Sequence, residues 1–319
     1  MPVLVCGTYD GGIVGFNLDL RLESQAPPAK KAKTDTEDRD EAADISVSQV
    51  FAYTPHMSCV KSLRAAGSFL ISTSSDQTVR VYDINSCKEK MVLTDHASTV
   101  TCSDVVFGSN GKPSHILTGD EEGDLILWQW KNFQVLHKLR GTGRGIEGCA
   151  VHPSGSICVA VGREQKVVAV FDLRKGSLAS KKKFKTAPFA CEWSPDGRTY
   201  GILFHDQCLL SVDGQEHCVS MKRVTSMLLL DETAMFGTQD GVMFVYRFGA
   251  DSVQLVSTVK AASGSRIKGI ALLDATELVI GATTSKGELL LWVAEDTAED
   301  TFDVLTEKDM RVTCFACTA

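Results

Sequence analysis

Runs of alternating apolar and polar residues recur along the chain, each broken by a short polar turn and ending on a large side chain. Seven stretches share this form: LVCGTYDGGIVGFNL, LISTSSDQTVRVYDI, ILTGDEEGDLILWQW, VAVGREQKVVAVFDL, GILFHDQCLLSVDG, AMFGTQDGVMFVYRF and IGATTSKGELLLWVA. Alternation with a period of two marks a half-buried strand, and two such runs around a small polar turn predict a β-hairpin. The hairpin is therefore written seven times.

The stretches align on their last large residue: Phe16, Tyr82, Trp128, Phe171, Val212, Tyr246 and Trp292. Six positions earlier stand Asp10, Asp76, Glu122, Gln165, Asp206, Asp240 and Lys286, five of them carboxylates. An acid at that place can accept hydrogen bonds from the open N–H groups of the turn, and the glycine that follows in four stretches suits positive φ. Asp10, Asp76, Glu122, Asp206 and Asp240 are thus expected to hold turns.

Successive units lie 66, 46, 43, 41, 34 and 46 residues apart, mostly near the roughly 40–45 of a propeller blade, and further short strand candidates fall between them, among them CVKSL, TVTCSDVVF, GCAVHP, FACEWSP, VTSMLLL and IKGIALL. Four short strands per unit, seven times over and without a long helix, predict an all-β, seven-bladed β-propeller that takes in residues 1–319 as one domain.

Counting strands leaves the first hairpin without an inner strand and the last nine residues, RVTCFACTA, without a blade. FDVLTEK serves as the outer strand of the seventh blade. The segment 311–317 is then expected to complete the first blade and close the ring. Its Cys314 and Cys317, three apart on a strand, point to opposite faces and lack a second ligand pair, so they read as strand residues and not as a redox or zinc centre.

Composition adds limits. The chain has 319 residues, 44% hydrophobic and 23% charged, with a net charge of −7 and eleven cysteines scattered singly in apolar runs. These fit a soluble protein with reduced, buried thiols, and no secretion signal or membrane span is read. The negative balance favours basic protein partners. No nucleophile elbow or phosphate loop occurs, and no cofactor or metal is expected.

One composition break stands out at 21–44, RLESQAPPAKKAKTDTEDRDEAAD, a polar insertion expected to be a disordered excursion from the first blade. Lys30, Lys31 and Lys33 resemble a short nuclear import signal, against the plainer reading of a solvated loop. Thr34 and Thr36 precede acids, as acid-directed kinases prefer. A denser basic run, Lys181, Lys182, Lys183 and Lys185, falls on an outer strand or its flanking loop. There a charged edge that discourages sheet pairing outweighs contact with rRNA phosphates.

VRVYD, LILWQ and VAVFD resemble worn versions of the closing Trp-Asp of WD repeats. His56 and His96 occur where that family places a histidine before the first strand of a blade. The resemblance implies that each bonds a Ser or Thr on the second strand and the acid of the turn, pairing His56 with Asp76 and His96 with Glu122. Thr142 and Ser263 stand near the same place in two degenerate blades, and Trp128 and Trp292 close theirs.

The stretch from CAVHPSG through EWSPDGRTY, with FLISTSSDQTVRVYDI and ILTGDEEGDLILWQWKNFQVLHKL, resembles one WD-repeat subfamily. It comprises the p21-activated kinase-interacting proteins and their fungal counterparts, which assist assembly of the large ribosomal subunit. That resemblance implies a monomeric, non-catalytic scaffold in the nucleus and nucleolus. Its partners would be assembly factors and ribosomal-like proteins of the pre-60S particle, with a signalling adaptor that binds and restrains p21-activated kinase as the alternative.

Overall fold

Each predicted hairpin forms the middle pair of a four-stranded antiparallel sheet, and seven such sheets make up the molecule. In a computed structural model, residues 3–21, 44–250, 252–275, 279–293, 299–303 and 311–318 are described. The insertion with Lys30, Lys31, Lys33, Thr34 and Thr36 lies outside the described residues. It leaves the first sheet after Ile13–Arg21 and returns at Asp44–Tyr53, which pair from Ile13 opposite Tyr53 to Arg21 opposite Asp44.

The inner strands of blades 1 to 7 are Val312–Thr318, Val60–Ala66, Val100–Phe107, Ile146–Val151, Ala190–Trp193, Val224–Leu229 and Ile267–Asp274. Blade 1 is assembled from both ends of the chain, as the strand count required. Val312–Thr318 lies antiparallel to Val3–Thr8, with Val3 opposite Thr318 and Gly7 opposite Cys314. The turns at 152–156 and 194–198, written HPSG and SPDG, join inner to second strands of blades 4 and 5.

Apolar burial runs between blades. Seven clusters of buried side chains occur, one at each contact of neighbouring sheets. Between blades 3 and 4, Leu117, Leu125 and Leu127 meet Ile146, Cys158 and Phe171. Each such side chain contributes roughly 1.5–3 kcal/mol on burial. The period-two pattern is what makes this work, because alternate residues of a strand feed the cores on its two sides. The closing strand shows it directly: Cys314 and Ala316 enter the core between blades 1 and 2, whereas Phe315 and Cys317 enter the core between blades 7 and 1. Burial pushes both thiols up to about 12, so neither is poised as a thiolate.

The large residue that closes a hairpin marks a β-bulge in five blades. The register shifts at Gly15/Phe16, Val81/Tyr82, Leu127/Trp128, Val170/Phe171 and Val245/Tyr246. On the facing outer strand the extra residue is turned out of the ladder, which accounts for exposed apolar side chains at Val50, Leu136 and Val256. Blade 5 closes differently, with a two-residue turn of Asp213 and Gly214, both at positive φ.

The outer strand of blade 7 differs from expectation. The described part is Glu299–Asp303, beginning three residues before FDVLTEK, with Glu299 opposite Trp292; residues 304–308 of that segment lie outside the described residues. Antiparallel return along Glu288–Val293 sets that register, and the acidic, weakly β-forming Glu299 and Asp300 carry no strand signal in the sequence.

Candidate docking surface

The hairpin turns and the loops that lead into the inner strands share one face of the ring. Five of these loops, 54–59, 94–99, 140–145, 184–189 and 261–266, hold six residues each. Their third residues are His56, His96, Thr142, Thr186 and Ser263. The loop between blades 5 and 6 has only three residues, 221–223, and no counterpart side chain. A slot of about 770 Å³ opens there, lined by Met221, Lys222, Arg223, Asp240, Phe244 and Tyr246.

In blade 2 the buried His56 imidazole donates from Nδ1 to Asp76 at 2.9 Å, and its Nε2 accepts from the Ser72 hydroxyl at 2.7 Å. Asp76 also accepts from the Thr78 hydroxyl at 2.7 Å and the Thr78 N–H at 3.0 Å. Burial works against the Asp76 charge, but these bonds and His56 outweigh it and hold the carboxyl down to about 2. Burial pushes His56 below its ordinary value despite Asp76, so the pair is a neutral imidazole and a carboxylate.

Blade 3 carries the fuller arrangement, with a different acid from the one expected. His96 donates to Asp120 at 2.8 Å, not to Glu122. The Thr118 hydroxyl donates to His96 Nε2 at 2.7 Å and accepts from the Trp128 indole at 2.8 Å. Asp120 sits at the end of the second strand, aimed inward and fully buried, whereas Glu122 at the turn tip points outward to Arg144. The shift has a simple cause. Asp120 replaces the Ser74 of blade 2, and an acid already buried beside the histidine leaves no place for a second.

Blade 7 uses a third position. Glu288, the first residue of its third strand, accepts from the Ser263 N–H at 2.9 Å, from the Ser263 hydroxyl and from the Thr284 hydroxyl at 3.2 Å. The remaining turn acids are exposed. Asp240 meets Arg223 at 3.2 Å, while Asp10 precedes Gly11, whose φ of 84° and tight seat against the His56 carbonyl exclude a side chain. Asp206 stands in the two-residue turn of blade 5. Trp292 is buried with Met235 and Ile270 between blades 6 and 7.

The basic run lies on the outermost strand of blade 4, Ser177–Lys183, with Lys185 just beyond it. All seven residues of the strand are exposed. Lys182 pairs with Glu216 at 2.7 Å, and Lys181 donates to Gln165 at 2.9 Å. Two of the four lysines are thus engaged within the chain.

Along the axis, a channel of about 440 Å³ is lined by inner-strand residues, among them Cys314 and Cys317 and the charged Arg64, Asp104 and Glu192. Arg64 stands 3.8 Å from Asp104 and donates to the Ser103 carbonyl at 3.2 Å. Asp104 accepts from Val151 N–H of the next blade at 2.7 Å. Burial, with Asp104 adding to it, pushes the Glu192 carboxyl up to about 8 against the pull of Arg64. These groups staple neighbouring blades, and a charged residue inside an otherwise apolar inner strand was their only sequence signal. Among the described residues, no three His, Cys, Asp or Glu side chains come together to hold a metal ion, and no helix is long and apolar enough to cross a membrane.

The geometry is that of a WD-repeat propeller, and comparison with known proteins agrees. A family described as "WD domain, G-beta repeat" matches residues 47–83. The human p21-activated protein kinase-interacting protein 1 is 25% identical over 98% of this chain and 76% of its own length. A zebrafish p21-activated protein kinase-interacting protein 1-like is 26% identical over 51% of this chain, and the match takes in only 42% of that relative, less than two thirds of its length. Protein MAK11 of Saccharomyces cerevisiae is 21% identical over 66% of this chain and 51% of its own. With seven closed blades and the histidine pairs in place, the chain is a WD-repeat propeller, similar along much of its length to the p21-activated kinase-interacting proteins.

Proposed function

We propose that the chain is a non-catalytic scaffold in assembly of the large ribosomal subunit, docking a ribosomal-like protein on nucleolar precursors. One observation carries the reading. The buried polar side chains beneath the turn face are committed to one another, as in His56–Ser72–Asp76 and Trp128–Thr118–His96–Asp120, so they build a rigid rim and, among the described residues, these sets leave no nucleophile beside a free base. A rigid ring of loops binds without a large ordering cost, which suits a docking platform.

The ribosomal part of the reading rests on the family resemblance across residues 56–200 and on the likeness to the yeast MAK11 protein. A net charge of −7 complements a basic partner, and Lys30, Lys31 and Lys33 supply an import signal consistent with a nuclear site of action. Sedimentation of nuclear extract tests it. The chain should co-migrate with large-subunit precursors, and its depletion should lower that subunit selectively. Migration only in light fractions removes the reading.

A second reading has its own observation. The human relative, and a Schizosaccharomyces pombe relative named Shk1 kinase-binding protein 15 that is 28% identical over 58% of this chain, are named for kinase binding. Capture of p21-activated kinase by the purified chain, without co-migration with precursors, would favour an adaptor that restrains that kinase.

A further inference from the structure

Cations on the turn face fall into two groups. In blades 3, 4 and 6 the arginines are neutralised, Arg144 by Glu122, Arg163 by Glu147 at 2.6 Å and Arg223 by Asp240 at 3.2 Å, while Lys166 and Lys222 stand singly, without an ion pair among the described residues. In the sector of blades 7, 1 and 2, Lys61, Arg266, Lys268 and Arg311 form no ion pair among the described residues. Lys61 and Lys268 occupy the bulges at the head of their inner strands, on either side of Thr313 at the mouth of the channel. Burial and then the Arg266 charge push the Lys268 ammonium below its ordinary value, with Lys61 adding to the effect, so these like charges stand close enough to repel.

The same sector exposes two large apolar side chains. Met57 is 95% exposed and Tyr9 is 60% exposed. Their segments are joined, because His56 N–H donates to the Gly11 carbonyl at 3.3 Å and Tyr9 N–H donates to the Arg311 carbonyl at 3.0 Å. Most other exposed large apolar residues lie on outer strands, several of them bulged; this pair faces the way the turns face.

We propose that the sector formed by Lys61, Arg266, Lys268, Tyr9 and Met57 docks an acidic segment of a partner protein that carries an apolar anchor residue. Clustered cations without an ion pair among the described residues, in a chain of net charge −7, are complementary to an anion, and carboxylates spaced along a peptide would relieve their repulsion. Met57, unbranched and polarisable, adapts to an apolar side chain, while Tyr9 offers a rigid amphipathic surface. A protein segment fits better than RNA. Phosphate tracking needs a stripe of cations, whereas this cluster is compact and is bordered by Asp10 and by ion-paired arginines of the other blades.

The inference rests on the scaffold reading but not on the identity of the particle bound. The test is fluorescence anisotropy of the full chain with the labelled peptide GEELFEDG. Saturable binding is expected, weakened about tenfold or more by Lys61→Glu with Lys268→Glu, weakened several-fold by Met57→Ser, and absent with the neutral peptide GQQLFQNG. Arg266→Glu, on an exposed loop, provides the charge test should the double variant melt early. Failure of the acidic peptide to bind, equal binding by the neutral peptide, or indifference to the charge reversals overturns the proposal. So does oligo(U) RNA that binds more tightly and displaces the peptide through the same lysines. Peptide binding without co-sedimentation of the chain with large-subunit precursors would retire the ribosomal reading alone; co-sedimentation without peptide binding would retire only this one.

Discussion

The Thr313 hydroxyl, on the strand that closes the ring, donates to the Val60 carbonyl of the next blade at 2.6 Å. Two other blade junctions repeat the contact, with Thr101 donating to the Ile146 carbonyl at 2.5 Å and Thr225 to the Ile267 carbonyl at 2.7 Å. In all three the threonine is the bulged residue near the head of its inner strand, so the bulge aims a hydroxyl sideways across the junction. Thr313 therefore joins the chain's end to blade 2 as well as to blade 1.

Thr313→Val keeps the shape and removes the donor. A lost hydrogen bond costs about 1 kcal/mol, and in a protein of this size that lowers Tm by roughly 1–2 °C. Deleting 311–319 is expected to be far worse, because it strips the inner strand from blade 1 and uncovers two cores at once, those holding Cys314 and Phe315. A scanning calorimetry trace with an unchanged Tm after that deletion would contradict the closure.

Asp120→Asn and Glu122→Gln separate the buried acid from the exposed one. Asp120→Asn leaves His96 without its carboxylate in a buried site and should cost about 1–3 kcal/mol. Glu122→Gln removes only an exposed ion pair with Arg144 and should leave stability nearly unchanged. Urea midpoints of the two variants measure the difference, and equal losses would show that both acids support the histidine.

How far the sequence carried is clearest in these acids. The seven hairpins, their internal register and the closing strand were legible because one face of every strand must be apolar, and that period survives even where the Trp and His are lost. The partner of each histidine or serine was not legible. Asp76 lies in its turn, Asp120 at the end of the strand before, and Glu288 at the start of the strand after. All three places border the same cap site, so spacing alone cannot choose among them. The channel staples were hidden for a related reason. Asp104 and Glu192 look like breaks in apolar strands until the ring brings Arg64 beside them.

Acid should weaken the fold through the blade 2 pair. Asp76 is held at about 2, below its ordinary 3.8, so its contribution is present above 3.8 and is lost as pH falls toward 2. His56 stays neutral in the fold, so the unfolded chain takes up a proton first as pH drops below 6.5, which also favours unfolding. His56→Gln should flatten the upper part of this acid limb and Asp76→Asn the lower part, each at some cost at pH 7. Midpoints of urea unfolding between pH 3 and pH 7 would show it, and parallel curves for wild type and both variants would exclude the assignment.

Alkaline conditions act through Glu192, with the opposite sign. Its carboxyl titrates at about 8 in the fold and near 4.5 when unfolded, so the folded state binds the extra proton between those limits. Stability from this group is therefore complete below 4.5 and is lost as pH rises through about 8. The charged form must then share Arg64 with Asp104 in the narrow channel, and Arg64 cannot serve both equally. Glu192→Gln keeps the volume and a hydrogen-bonding oxygen without titrating. The wild-type urea midpoint should fall between pH 6 and pH 9 while that of Glu192→Gln stays flatter, and the two should cross if the uncharged amide suits the channel better than the carboxylate at pH 9. A wild-type midpoint that does not move across this range would mean that Glu192 is already ionised at pH 6 and that Arg64 outweighs burial.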